Sequence, residues 1–100
     1  MKGRLPAEVA ALLPLARRRL LVSRLARRHR DVALHFRDAQ GRLLLLSRDT
    51  VHRSAWRVTY FMADGTPAGH ASAPTHLAGL HAATELGACL ETCAPLRSLR

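Results

Sequence analysis

Seven arginines and no acid stand between residues 17 and 30. A guanidinium is a permanently charged, planar fork that holds phosphate or carboxylate oxygens two at a time. At 100° per residue on a helix, Arg17, Arg24 and Arg28 fall within about 40° of one another, with Arg27 nearby. Leu21, Val22, Leu25 and Ala26 are expected to form the opposite side. The pattern is that of an amphipathic helix with a cationic stripe, and its chemistry is a grip on a polyanion, nucleic acid first. Three other uses give the same pattern: a solvated face tilted to arginine by codon usage, a seat for an acidic protein, or a membrane-surface contact.

Arg37 and Arg57 extend this set of phosphate-binding candidates from strand positions, with His35, Arg42 and Arg48 close by in sequence. They would continue the positive surface across an outer sheet face. Trp56 and Tyr60 are the right kinds of side chain to stack on bases. They share strand parity with Val58, however, so core packing is the better expectation for both.

Other chemistries find less support. Cys89 and Cys93, with His70, His76 and His81 upstream, are ligand types that zinc accepts. Their spacing is not that of two knuckles, so no metal and no cofactor are expected. The cysteines, read as sharing one helical face, should titrate as two free thiols and join only on oxidation. A Cys–His nucleophile pair would need an acid and an oxyanion hole, which nothing places. The seven acids are scattered, and there is no P-loop, GxGxxG or GxSxG. The chain is expected not to be an enzyme.

Sixteen basic and seven acidic residues give a net charge of +9. Fifteen of the basic residues are Arg, 18 residues are Leu, 17 are Ala, and Ile and Asn are missing. That skew marks GC-rich coding, so a bacterial or phage source is expected. Codon usage accounts for Arg in place of Lys; it does not account for the excess of charge. At 100 residues the chain is a single domain, 1–100, able to bury roughly 60–65% of its unfolded surface in one modest core. With aromatics at 4%, Leu, Val and Ala must fill that core. No run of 18 apolar residues predicts a membrane span. Glu8, Pro14 and Arg17 to Arg19 interrupt any signal-peptide core, so a cytoplasmic location is expected.

These residues need elements to position them. Pro6 suits a first helical position, and Pro14 predicts a kink or a new start, with a short helix at 6–13 and a longer one at 14–30. Val32, Leu34 and Phe36 alternate with Ala33, His35 and Arg37, predicting a half-buried strand at 32–37. Asp38 to Gly41 reads as a turn into a strand at 42–47. Its four consecutive leucines suggest burial on both faces, or a central strand with a helix on one side. Trp56, Val58, Tyr60 and Met62 predict a third strand at 56–62, and Asp64-Gly65 a hairpin to a weak edge strand at 67–72. Thr75 is placed to cap a C-terminal helix at 76–90, where Gly79 and Gly87 either weaken the helix or permit close packing. Residues 1–5 and 95–100 are expected to be mobile. The fold class is α+β, with a three- to four-stranded antiparallel sheet between helices.

The stretch Trp56-Arg57-Val58-Thr59-Tyr60, then Asp64-Gly65 and a helix from Thr75, resembles the small DNA-binding module at the N-terminus of phage integrases, a three-stranded sheet on one helix. It departs from that module in lacking a basic C-terminal helix. The order α-β-β-β-α is also similar to that of double-stranded RNA-binding domains, but the second helix lacks their lysine cluster. Neither family is assigned. The expectation is a basic accessory protein that contacts nucleic acid through phosphates; the alternative is an interaction module docking on an acidic protein.

Overall fold

A computed structural model describes residues 7–98, with side chains from Leu15 to Arg97. It contains α1 (Ala7–Arg28), β1 (Leu34–Arg37), β2 (Leu43–Arg48), β3 (Trp56–Phe61), β4 (Pro67–Ala73), α2 (His76–Glu85) and β5 (Cys89–Pro95), followed by a 3-10 turn at Leu96–Ser98. The five strands form one antiparallel sheet in the order β4-β3-β2-β1-β5. Both described helices belong to the α+β architecture expected, but the sheet has five strands and the second helix is not the last element.

The helix expected at 76–90 stops early because Gly87 stops it. With φ at 100°, a left-handed value that glycine adopts without a Cβ penalty, Gly87 donates to the Thr84 carbonyl at 3.1 Å, and Ala88 donates to that of Ala83 at 2.9 Å. This pair of bonds is a Schellman motif, which reverses the chain. Residues 89–95 then pair with β1 as an edge strand, with an irregularity between His35 and Arg37. There the Arg37 amide donates to the Thr92 hydroxyl at 2.7 Å, so a side chain supplies the ladder bond that the bulge removes. Pro95, expected in a mobile tail, closes β5, and the Leu96 amide donates to Ala33 O at 2.8 Å. The expectation for 1–5 lies outside the described residues.

Pro14 does not divide the first helix, which is continuous from Ala7 to Arg28. A proline removes one backbone bond, and the Ala- and Leu-rich turns around it are strong helix formers. The first strand begins at Leu34, two residues later than expected, because the chain first turns through Asp31 at φ 56°. The edge strand at 67–73 and the Thr75 cap, which accepts from the Ala78 amide at 3.1 Å, are where the sequence put them.

One face of the sheet carries the core. Leu34, Phe36, Leu44, Leu46, Trp56 and Val58 are buried against Leu80 and Ala83 of α2 and Val22 and Leu25 of α1. Helix α2 lies over β2, β3 and β4, and α1 packs on α2. The approach of α2 to the sheet is close at Gly79, where an added Cβ would stand 2.5 Å from Leu46 Cδ1. His76, buried at the start of α2, bonds through Nε2 to Val32 O at 2.9 Å and meets Trp56 edge-on at 4.8 Å, which fixes α2 to the segment joining α1 to β1. The other sheet face has no layer over it among the described residues. Leu43 and Leu45, on the second face of the central strand, are therefore only half-buried. No described helix is long and apolar enough to cross a membrane.

Candidate nucleic-acid interface

Among the described side chains, helix α1 is anchored through its last turns. Val22 and Leu25 are buried, and Leu21 and Ala26 are half-buried against the core. Burial of a Val or Leu side chain contributes about 1.5–3 kcal/mol, so these residues fasten the C-terminal half of the helix. Residues 15–20 are exposed all round. Arg18 shows this best: it lies about 100° from Arg17, on the azimuth of the buried face, yet it is exposed, with none of the described residues covering it there.

The arginine stripe is exposed but not opposite the core. Leu21 lies only about 40° from Arg17, and the four packing residues centre about 110° from it. The stripe of Arg17, Arg24 and Arg28 therefore flanks the buried face, and Arg27 points away from it. Arg17, Arg18, Arg19, Arg24, Arg27, Arg28 and Arg30 are all exposed. The ion pairs among the described residues are Arg42–Asp38 and Arg57–Asp49, so none of the seven is neutralised there. At the end of the helix His29 is half-buried; burial first, then the charges of Arg28 and His76, lower its pKa and favour its neutral form.

Arg37 and Arg57 stand elsewhere. They project from the open sheet face, whereas α1 belongs to the helical layer on the other face, so the two basic regions do not form the continuous surface expected. Arg57 is partnered, 3.6 Å from Asp49 with its side chain about one-third exposed. Asp49 itself caps the loop after β2, accepting from the Val51 and His52 amides at 2.8 and 3.1 Å; those bonds first, with Arg57 behind them, hold its carboxyl below the usual range. His35 adds no charge near neutrality, since burial and then Arg37 lower its pKa. Arg48 lies over the Trp56 ring at 4.6 Å and donates to Arg53 O, which ties it to the protein. Trp56 is buried and Tyr60 half-buried on the core side, as parity required.

The open face also holds a feature that the sequence reading passed over. The β1–β2 and β3–β4 hairpins bound a concavity of about 570 Å³, floored by Leu43, Leu45 and Phe61 and edged by Met62, Arg37 and Arg42. Its signals were present: Phe61 shares parity with Arg57 and Thr59, an aromatic on the side away from the core, and two of the four leucines had to face the same way. Arg42 is fixed by Asp38 (Nε to Oδ2, 3.1 Å) and Gln40 (Nη2 to Oε1, 3.1 Å), and lies over the Tyr60 ring at 5.4 Å. Arg37 makes a single long bond, Nη1 to Gly41 O at 3.3 Å.

The cysteines do not share a face. Cys93 packs against the core, while Cys89 is the ladder partner of Arg37 on the other side of the bulge. No group of three or more metal-ligating side chains gathers among the described residues. The chain shows no significant match to a known protein family, to a characterised protein or to a solved structure.

Proposed function

We propose that this chain is a small basic accessory protein, not an enzyme, that contacts nucleic acid through phosphates. Arg17, Arg24, Arg27 and Arg28 of α1 are its principal contacts, with Arg37 and Arg57 as lesser ones. The observation that carries this reading is the exposure of seven arginines on and just after one helix, none ion-paired among the described residues. Cations crowded on one helix repel each other. A phosphate backbone relieves that repulsion, and each phosphate neutralised releases counterions. Such contacts position a protein without reading base sequence.

A second reading is favoured by one observation. Leu15 and Leu20, 45% and 51% exposed, stand among the arginines on the exposed stretch 15–20 of α1. An acidic protein with an apolar stripe would cover both kinds of side chain. Gel shifts with single-stranded and duplex DNA and RNA, run beside an affinity pull-down, separate the two readings. Excess duplex should displace a nucleic-acid binder from a polyanion column and leave a dedicated protein complex intact. Failure to bind any nucleic acid at about 50 mM salt, where phosphate contacts are strong, would reject the first reading.

A further inference from the structure

We infer that the concavity on the open sheet face seats an unpaired nucleotide of a single-stranded nucleic acid, with its base against Phe61 and Leu45 and its phosphate at Arg37. The inference rests on the reading that the chain binds nucleic acid, but it concerns a different surface from α1.

The size is right for a small-molecule group, since such sites run from about 300 to 1,000 Å³, and this one measures about 570 Å³. The floor is apolar and keeps its form without a covering layer, because Leu43 and Leu45 belong to the central strand and are held between paired neighbours. The ionisable side chains of the lining are Arg37 and Arg42, with no carboxylate among them. Asp38 is adjacent in sequence, but its oxygens are occupied by the Gln40 and Arg42 amides, the Arg42 side chain and the Tyr60 hydroxyl. Arg42 is thereby held against Tyr60, on the core side of the sheet, and its guanidinium is not free for a ligand. Arg37, exposed and with one long bond, keeps most of its five donors for a ligand.

An apolar floor beside a cation fits a base and its phosphate. Aromatic stacking is tolerant of sequence because every base has a π-face. A duplex hides those faces in its stack, so the occupant must be unpaired. A second copy of this chain fits poorly, because it would bring another +9 to the same surface.

The test uses fluorescent oligo-dT and oligo-U, a duplex of equal length, and a single strand carrying a photoreactive iodouracil. Irradiation of the unaltered protein should crosslink the peptide containing Phe61. Phe61→Leu, which keeps an apolar side chain and removes the ring, should weaken single-strand binding by about 5- to 150-fold, the range of one lost stacking contact. Arg37→Gln should weaken it too, and F61L should bind duplex as before. A crosslink confined to α1 peptides, or single-strand affinity unchanged in F61L, overturns the inference. Duplex binding without single-strand binding overturns it while leaving the α1 reading in place. No binding to either strand form removes both.

Discussion

The Tyr60 hydroxyl donates to the Asp38 carboxylate at 2.8 Å and so ties β3 to the hairpin between β1 and β2. Asp38 also accepts from the amides of Gln40 and Arg42 at 2.9 and 2.7 Å and from Arg42 Nε at 3.1 Å. Burial works to raise its pKa, but the bonds from Tyr60, Arg42 and Gln40 and the Arg42 charge outweigh burial and lower it. A carboxyl whose folded pKa lies below its unfolded value of about 3.9 contributes its full stabilisation above that pH and loses it as pH falls through the folded value. Asp38→Asn should therefore lower the melting temperature at pH 7, and the gap from the unaltered protein should close as pH falls below about 4. Equal melting temperatures at pH 7 would show that this carboxylate does not hold the hairpin.

The two thiols should behave differently. Burial pushes the Cys93 thiol up to about 11. At pH 8 its reactive thiolate is then roughly one part in a thousand. Cys89 sits across the bulge on the other side of the strand. Iodoacetamide at pH 8 should modify Cys89 quickly and Cys93 only after denaturation, as peptide mass mapping would show. Equal rates at the two sites, or a ready disulfide between them in the folded protein, would contradict the register of β5.

Period-two alternation placed the strands at Leu34 and Trp56 because each buries one face, and burial is what the alternation records; the strand at Leu43 was read instead from the turn before it and its run of four leucines. The stretch from Cys89 to Pro95 escaped for the opposite reason. It is an edge strand broken by a bulge, with Glu91 and Thr92 exposed in succession, so no alternation survives in it. Gly87 held the missing information, but a glycine near the end of a helical pattern reads as a weak position or as a stop until the chain beyond it has a partner. The arginines of α1 were legible as a helix face; their azimuth relative to the core was not, because it depends on where α2 packs. The concavity needed the sheet order. Arg37 and Phe61 lie on strands separated by β2, and only the pairing of both with that strand brings them to one surface.

Gly79 is a point of close approach between α2 and β2. Alanine there would favour the helix by about 1 kcal/mol. Its Cβ would also meet Leu46 Cδ1 at 2.5 Å, and Leu46 is fully buried. Overpacking of this kind costs about 1–3 kcal/mol, so Gly79→Ala should destabilise by up to about 2 kcal/mol despite the better helix former. Denaturant unfolding measures the change. Leu46→Val should recover part of the loss when combined with it, since the shorter side chain gives the new methyl group room. A more stable single variant would mean that Leu46 turns aside freely and that the contact does not set the spacing of helix and sheet.

The arginine stripe makes the sharpest demand. If α1 grips phosphates with four to six contacts on duplex DNA, log K should fall against log salt with a slope of roughly −3.5 to −5.5, because each contact releases condensed counterions. Binding should be nearly indifferent to sequence, since phosphate contacts carry no base information. Arg24 and Arg28 are exposed and have no ion-pair partner among the described residues. Replacing both by Gln should therefore reduce the slope by about two units. The fold should remain, because Val22 and Leu25 still anchor the helix and surface changes shift stability by only about 0.5 kcal/mol. The measurement is a duplex titration across salt for both proteins, with melting temperatures alongside. A double variant with an unchanged slope and an unchanged fold would mean that the contact lies on another surface, and the stripe would then be a solvated face.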